Sequence, residues 1–125
     1  MVCPDSLCMA ACTRKKFDGP INIPLVQASI IQMAKDLGGI PEFSRPNLDG
    51  KKVAVIGAGP CGLTAAHFLA GLGHAVTVFE TLPQAGGMLR YGIPEYRLPN
   101  DIVDREIAVI RSRGVDIVTN SRVSS

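Results

Sequence analysis

Three glycines and one glutamate carry the chemistry most legible in this chain. Gly57, Gly59 and Gly62 lie in the run GAGPCG with Ala58, Pro60 and Cys61, and Glu80 follows Gly57 by 23 residues. Each glycine has a separate task. Gly57 turns the chain tightly, Gly59 has no side chain to block a pyrophosphate, and Gly62 lets a following helix pack close to the preceding strand. The N–H groups at that helix start, with the helix dipole, favour an anion without any basic side chain. A carboxylate at Glu80 can accept both hydroxyls of an adenosine ribose and would repel a 2′-phosphate, so the expected ligand is FAD or NAD rather than NADP.

This chemistry requires elements that bring the turn and the carboxylate together. The apolar run Val53 to Ile56 reads as a strand buried on both faces of a parallel sheet. The Ala- and Leu-rich stretch from Pro60 to Leu72 reads as a helix, with Pro60 tolerated in its first turn and Gly71 and Gly73 ending it. Ala75 to Phe79 is a second strand that delivers Glu80 to its carboxyl end. Cys61 has no second cysteine at CxxC spacing and reads as a small packed residue of the turn.

After Glu80, the stretch TLPQAGGMLRYGIPEYRLPN is too long for a simple connector, and loops of that size are usually functional. Gly86 and Gly87 allow close backbone approach to a ligand. Arg90, Tyr91, Tyr96 and Arg97 are polar or aromatic groups able to contact a flavin ring or phosphates; alone, a rigid surface loop is an equal reading. Asn100 reads as the N-cap of a helix with a stripe of Val103, Ile107 and Ile110, terminated by Gly114, and Val115 to Thr119 is a third strand. His67 and His74 have neither acidic partners nor metal spacing and read as structural.

Composition bounds the classes. A chain of 125 residues, 46% hydrophobic and 19% charged, is globular, with room for one small domain. A net charge of +2 without aromatic-basic interleaving leaves no nucleic-acid footprint. No apolar run approaches the roughly 18 residues of a membrane span and no signal peptide is seen, so a soluble, cytoplasmic protein is expected. Four cysteines would fit a secreted disulfide scaffold by count, but beside a nucleotide-binding unit metal ligation is the better reading.

Three of those cysteines, Cys3, Cys8 and Cys12, stand close together in MVCPDSLCMAAC, a soft-ligand set suited to iron-sulfur or zinc but one short of an all-cysteine site. The basic run Arg14, Lys15 and Lys16 reads as a solvated face. From Pro24 to Leu37 the residues Val26, Ile30, Met33, Ala34 and Leu37 recur at helical spacing, which predicts a packing helix with Met33 in the core. GIPEFSRPNLDG, from Gly39 to Gly50, reads as a proline-broken linker.

The runs VCPDSLCMAAC, GPINIPLVQ, VAVIGAGPCGL, VFE and GGMLRYGIPEYRLP, in that order, resemble the small-subunit type of glutamate synthase. The same module occurs in dihydropyrimidine dehydrogenase and in the large subunit of NADH-dependent ferredoxin:NADP oxidoreductase. The resemblance implies a flavoprotein that takes hydride from NAD(P)H onto FAD and passes single electrons through two four-iron four-sulfur clusters. It assigns Cys3 and Cys8 to one cluster, Cys12 to the other, and Gln27 as an unusual ligand to the first. It also implies that the segment with Gly86, Gly87 and Met88 runs along FAD, with Arg97 contacting the flavin and Val2 and Val123 lining the site.

The organisation expected is therefore 1–38 as the end of a helical iron-sulfur module, 39–50 as linker, and 51–125 as the first half of an FAD-binding α/β domain of Rossmann type. In that family the remaining cluster ligands would precede Met1, leaving the clusters incomplete or absent here, and an NADPH-binding domain would follow Ser125. A catalytic partner subunit or domain is also implied. No catalytic residue is identifiable. The alternative is a catalytically inactive dinucleotide- or metal-binding fragment, or the equivalent module of one of the two relatives. Three parallel strands in the order 3-2-1, with both crossover helices on one face, would leave the other face bare unless the Pro24 helix, further chain or another copy covers it.

Overall fold

The computed structural model describes residues 7–38, 43–44 and 46–124. The chain divides into two compact units, Met1–Pro41 and Glu42–Ser125.

In the first unit, α1 (Leu7–Ala10) leads through a 3₁₀ turn at Thr13–Lys16 to α2 (Ile23–Asp36). The α2 start is fixed by Asn22, whose side-chain oxygen accepts the Leu25 N–H at 3.1 Å, and by Pro24 in the first turn. Arg14 and Asp18 form an exposed ion pair one turn apart. The expectation of a packing helix needs correction. No residue of α2 is buried, and Val26, Ile30, Met33 and Leu37 are all exposed. Helical periodicity shows which residues share a stripe; it does not supply the surface that covers the stripe.

In the second unit, β1 (Lys52–Ile56), β2 (Ala75–Phe79) and β3 (Asp116–Val118) form a parallel sheet in the order β1-β2-β3. The register pairs Val55 with Val78 and Val78 with Ile117. α3 (Pro60–Gly71) crosses from β1 to β2, and α4 (Met88–Tyr91) and α5 (Asn100–Ser112) lie between β2 and β3. One sheet face holds the core. Val76 and Val78 are fully buried there with Leu63, Ala66 and Ala70 of α3 and Val103 and Ile107 of α5, and Val53, Val55 and Ile117 pack against them. Gly62, Ala66 and Ala70 recur every four residues, giving α3 a ridge of small residues toward the strands.

The opposite face is uncovered among the described residues. The register lines up Ile56, Phe79 and Val118 across it, and Ile56 is 72% exposed. This corrects the reading of β1 as buried on both faces: its residues alternate between exposed and half-buried. A continuous apolar run marks a strand suited to two covers, and the described chain supplies one.

Two boundaries also differ. Pro99, not Asn100, is the N-cap of α5, and no side chain caps that helix; Pro99 takes the extended backbone that the cap requires, leaving Asn100 as the first helical residue. His74 has an acidic partner, since its Nδ1 lies 2.8 Å from Asp49 Oδ2. The segment before β1, read as linker, is packed against the domain at this point. The Asp49 N–H donates to the Gly73 carbonyl at 2.9 Å, and the His74 imidazole and the Lys51 N–H together hold the Asp49 carboxyl below its ordinary range.

Candidate dinucleotide site

The turn between β1 and α3 is built by sheet hydrogen bonds that continue past the strands. The Gly57 N–H donates to the Phe79 carbonyl at 2.8 Å, and the Glu80 N–H donates to the Val118 carbonyl at 2.8 Å. These bonds bring the carboxyl ends of all three strands level, where open α/β sheets take ligands. Gly57 has φ of +93°, a conformation costly for any residue with a side chain. A Cβ on Gly62 would collide with the Gly57 carbonyl oxygen, so the helix reaches the turn only because position 62 is glycine.

α3 begins with Gly59 as N-cap and Pro60 in its first turn. Leu63 N–H donates to the Gly59 carbonyl at 2.9 Å. Among the described residues no hydrogen bond is made by the N–H groups of Gly59, Cys61 or Gly62. Three free donors at the positive end of a 12-residue helix form an anion cradle. Its floor is open: a Cβ on Gly59 would come no nearer to the protein than 4.0 Å, from the Gly87 Cα. The cradle thus fits a pyrophosphate. Cys61 corrects the expectation of a packed residue, since its free thiol is exposed.

Glu80 is buried, 8% exposed. Its Oε2 accepts the Ala58 N–H at 2.7 Å and its Oε1 accepts the Leu82 N–H at 2.9 Å. Both oxygens are thereby fixed, and each keeps acceptor capacity for a hydroxyl group. Reading from sequence gave Glu80 a role toward a ligand and missed this second role toward the turn itself; no sequence signal points to a backbone partner 22 residues away.

The loop after Glu80 approaches the same turn. The Gly86 N–H donates to the Ala58 carbonyl at 2.8 Å. Gly87 has φ of +52°, and a Cβ there would stand 2.7 Å from the Gly59 Cα. Met88 opens the short α4 and is exposed; Arg97, Tyr96 and Val123 are exposed as well. Arg90 and Tyr91 have partners within the protein. Arg90 donates through Nε to the Ala85 carbonyl at 2.9 Å and pairs with Asp104 on α5, while the Tyr91 hydroxyl accepts the Gln84 N–H at 3.2 Å. In sequence nothing distinguishes these two from Tyr96 and Arg97.

The residues expected to ligate metal belong to the first unit. Cys8 is exposed on α1, Cys12 is half-exposed before the 3₁₀ turn, and Gln27 is exposed on α2. The backbone N–H groups of Ile21, then Arg14 and Lys15, hold the Cys12 thiol below its ordinary range, with a smaller contribution from the Arg14 charge. That environment suits a thiolate ligand. Val2 and Cys3 lie outside the described residues. Among the described residues no three His, Cys, Asp or Glu come together as a metal site, and no helix is long and apolar enough to cross a membrane.

Comparison with known proteins agrees with this geometry. A family model described as an NAD(P)-binding Rossmann-like domain matches residues 55–115, the stretch that holds the turn, Glu80 and the loop. The chain is 44% identical over 124 residues to the NAD-dependent dihydropyrimidine dehydrogenase subunit PreT of Salmonella typhimurium, covering 98% of this chain and 30% of that protein. It is 40% identical over 122 residues to the glutamate synthase [NADPH] small chain of Bacillus subtilis, covering 98% and 24%. Over 74 residues it is 64% identical to the NADP(+)-dependent formate dehydrogenase subunit beta of Moorella thermoacetica, covering 59% and 10%. The chain thus spans at most 30% of the length of these relatives. The chain thus holds a Rossmann-like α/β unit and is similar, at 40–44% identity across almost all of its length, to the glutamate synthase small chain and PreT.

Proposed function

We propose that this chain is the FAD-receiving part of an NAD(P)H-dependent oxidoreductase of the glutamate synthase small-subunit type. The observation that carries the reading is the pairing of an open amide cradle at α3 with a buried, doubly anchored Glu80 at the end of β2. The cradle amides of Gly59, Cys61 and Gly62 hold the pyrophosphate, and Glu80 accepts the adenosine ribose hydroxyls. Met88, Arg97 and Val123 stand exposed on the same unit and are assigned to the remainder of FAD, with Val2 from the amino-terminal segment. When bound, FAD would convert the electron pair of one hydride from nicotinamide into single electrons for iron-sulfur acceptors. The residues of this chain bind and orient; none is assigned a proton-transfer role.

Cys3, Cys8, Cys12 and Gln27 are proposed as cluster ligands. Of these, the described thiols Cys8 and Cys12 are fewer than the four thiolates a four-iron cluster ordinarily takes, so the reading requires further ligands. The relatives named above are all subunits or chains of nicotinamide-dependent enzymes, which supports an NAD(P)H site and an electron-accepting partner outside this stretch.

The test is a titration of protein purified without oxygen against FAD, NADH and NADPH, with an absorption spectrum and iron analysis on the same sample. Tight FAD uptake with little response to either nicotinamide is expected. Binding of NADH or NADPH in preference to FAD would overturn the assignment.

A further inference from the structure

The peptide group joining Ala85 to Gly86 is held at both ends. Its carbonyl accepts Arg90 Nε at 2.9 Å, and its N–H donates to the Ala58 carbonyl at 2.8 Å. The N–H of Ala58 goes on to Glu80 Oε2 at 2.7 Å, and the Arg90 guanidinium is also paired with Asp104 of α5. A single relay therefore runs from α5 through Arg90 and one peptide plane to the glycine turn and Glu80. The Arg90 side chain is 7% exposed, although its partner carboxylate is 64% exposed. Gly86 is wedged in place: a Cβ there would stand 3.1 Å from both Arg90 Cβ and Val103 Cγ1.

This relay bears on the free amides. The Ala58 carbonyl is the i−4 position for the Gly62 N–H, the partner that amide would take if α3 wound one residue further back. Instead that carbonyl receives Gly86, and the Gly62 N–H has no partner among the described residues. Closure of the helix onto its own turn would remove a donor from the cradle.

We propose that Arg90 is a positioning residue for the dinucleotide cradle: by fixing the Ala85–Gly86 peptide it draws the Ala58 carbonyl away from α3 and keeps the cradle amides open. The proposal rests on the reading of that cradle as a dinucleotide site. The geometry of the guanidinium matters more than its charge. An ion pair with so exposed a partner contributes little by itself, whereas the planar fork serves a carbonyl and a carboxylate at once. A lysine can keep the charge but not the fork.

The experiment compares wild type, Arg90→Lys and Arg90→Met by amide hydrogen exchange without nucleotide and by FAD titration. In both variants Gly86 exchange accelerates about tenfold, the worth of one ordinary hydrogen bond, while the core-strand amide of Val78 holds. FAD dissociation constants rise by a similar factor. Wild-type exchange at Gly86, unchanged FAD affinity despite faster exchange, or equal acceleration at Gly86 and Val78 would each overturn the proposal. If wild-type protein takes up no FAD, the proposed function falls, and the exchange comparison alone decides whether Arg90 fixes the turn.

Discussion

Glu80 Oε2 accepts the N–H of Ala58 at 2.7 Å, so the carboxylate expected to face a ribose also fastens the glycine turn to the end of β2. Its other oxygen fastens Leu82. Glu80→Gln keeps the volume but offers one acceptor oxygen and sets an NH₂ group against one of two N–H donors. We expect it to lose about 1–3 kcal/mol of folding stability, the cost of a buried donor without a partner, together with FAD affinity. Glu80→Ala should lose more on both counts. Urea denaturation and flavin titration on both variants check this, and a denaturation midpoint unmoved in Glu80→Ala would remove the structural half of the role.

Two glycines of the turn separate binding from folding. A Cβ on Gly62 meets the backbone carbonyl of Gly57, which cannot move without breaking the turn, whereas a Cβ on Gly59 meets nothing nearer than 4.0 Å. Gly62→Ala is therefore expected to cost about 1–3 kcal/mol or more as overpacking against backbone. Gly59→Ala should leave the melting temperature within a degree or two of wild type, and its methyl would enter the space where the pyrophosphate approaches, weakening FAD at least about tenfold. A Gly59→Ala protein that binds FAD normally would mean the phosphate lies elsewhere.

The β1-α3-β2 unit was legible because its signals are local: an apolar run, glycines at fixed offsets and an acid at the end of the next strand. α5 and β3 followed from periodicity, with boundaries shifted by a residue or two. What sequence left open depends on contacts made at a distance. Arg90 and Arg97 are alike in type and neighbourhood, yet one is clamped between Ala85 and Asp104 and the other is exposed. His74 and Asp49 lie 25 residues apart, and only the approach of residues 46–51 to the Gly73 turn brings them together. The α2 stripe was visible as periodicity, but periodicity carries no sign of whether a surface covers it, and in the structure it is exposed.

The two faces of the sheet predict opposite responses to substitution. Val78 is fully buried on the core face, and Val78→Ala should cost about 2 kcal/mol through lost burial and the cavity left behind. Ile56, on the bare face, is 72% exposed, and Ile56→Thr should change stability by less than about 0.5 kcal/mol. Chemical denaturation of this chain measures both. A large loss from Ile56→Thr would show that the bare face is covered in solution, by another copy or another segment, and sedimentation at two concentrations would then identify self-association.

His67 makes the stability of the second unit depend on mildly acidic pH. Its ring lies edge-on to Phe43 at 4.9 Å, and Arg113 stacks on the same Phe43 at 4.0 Å while donating to the His67 carbonyl at 3.3 Å. Partial burial, and then the Arg113 charge, push the His67 pKa below its ordinary value of 6.5. Among the described residues, Glu106 is the one acidic side chain lining the same hollow. The unfolded chain therefore binds the proton first as pH falls, so this contribution is fully present above 6.5 and is lost as pH drops through 6.5 toward the folded-state value. Urea midpoints of wild type should fall between pH 7.5 and pH 5.5 by more than those of His67→Gln. A His67→Gln protein with the same pH slope as wild type would show that this imidazole does not carry the effect.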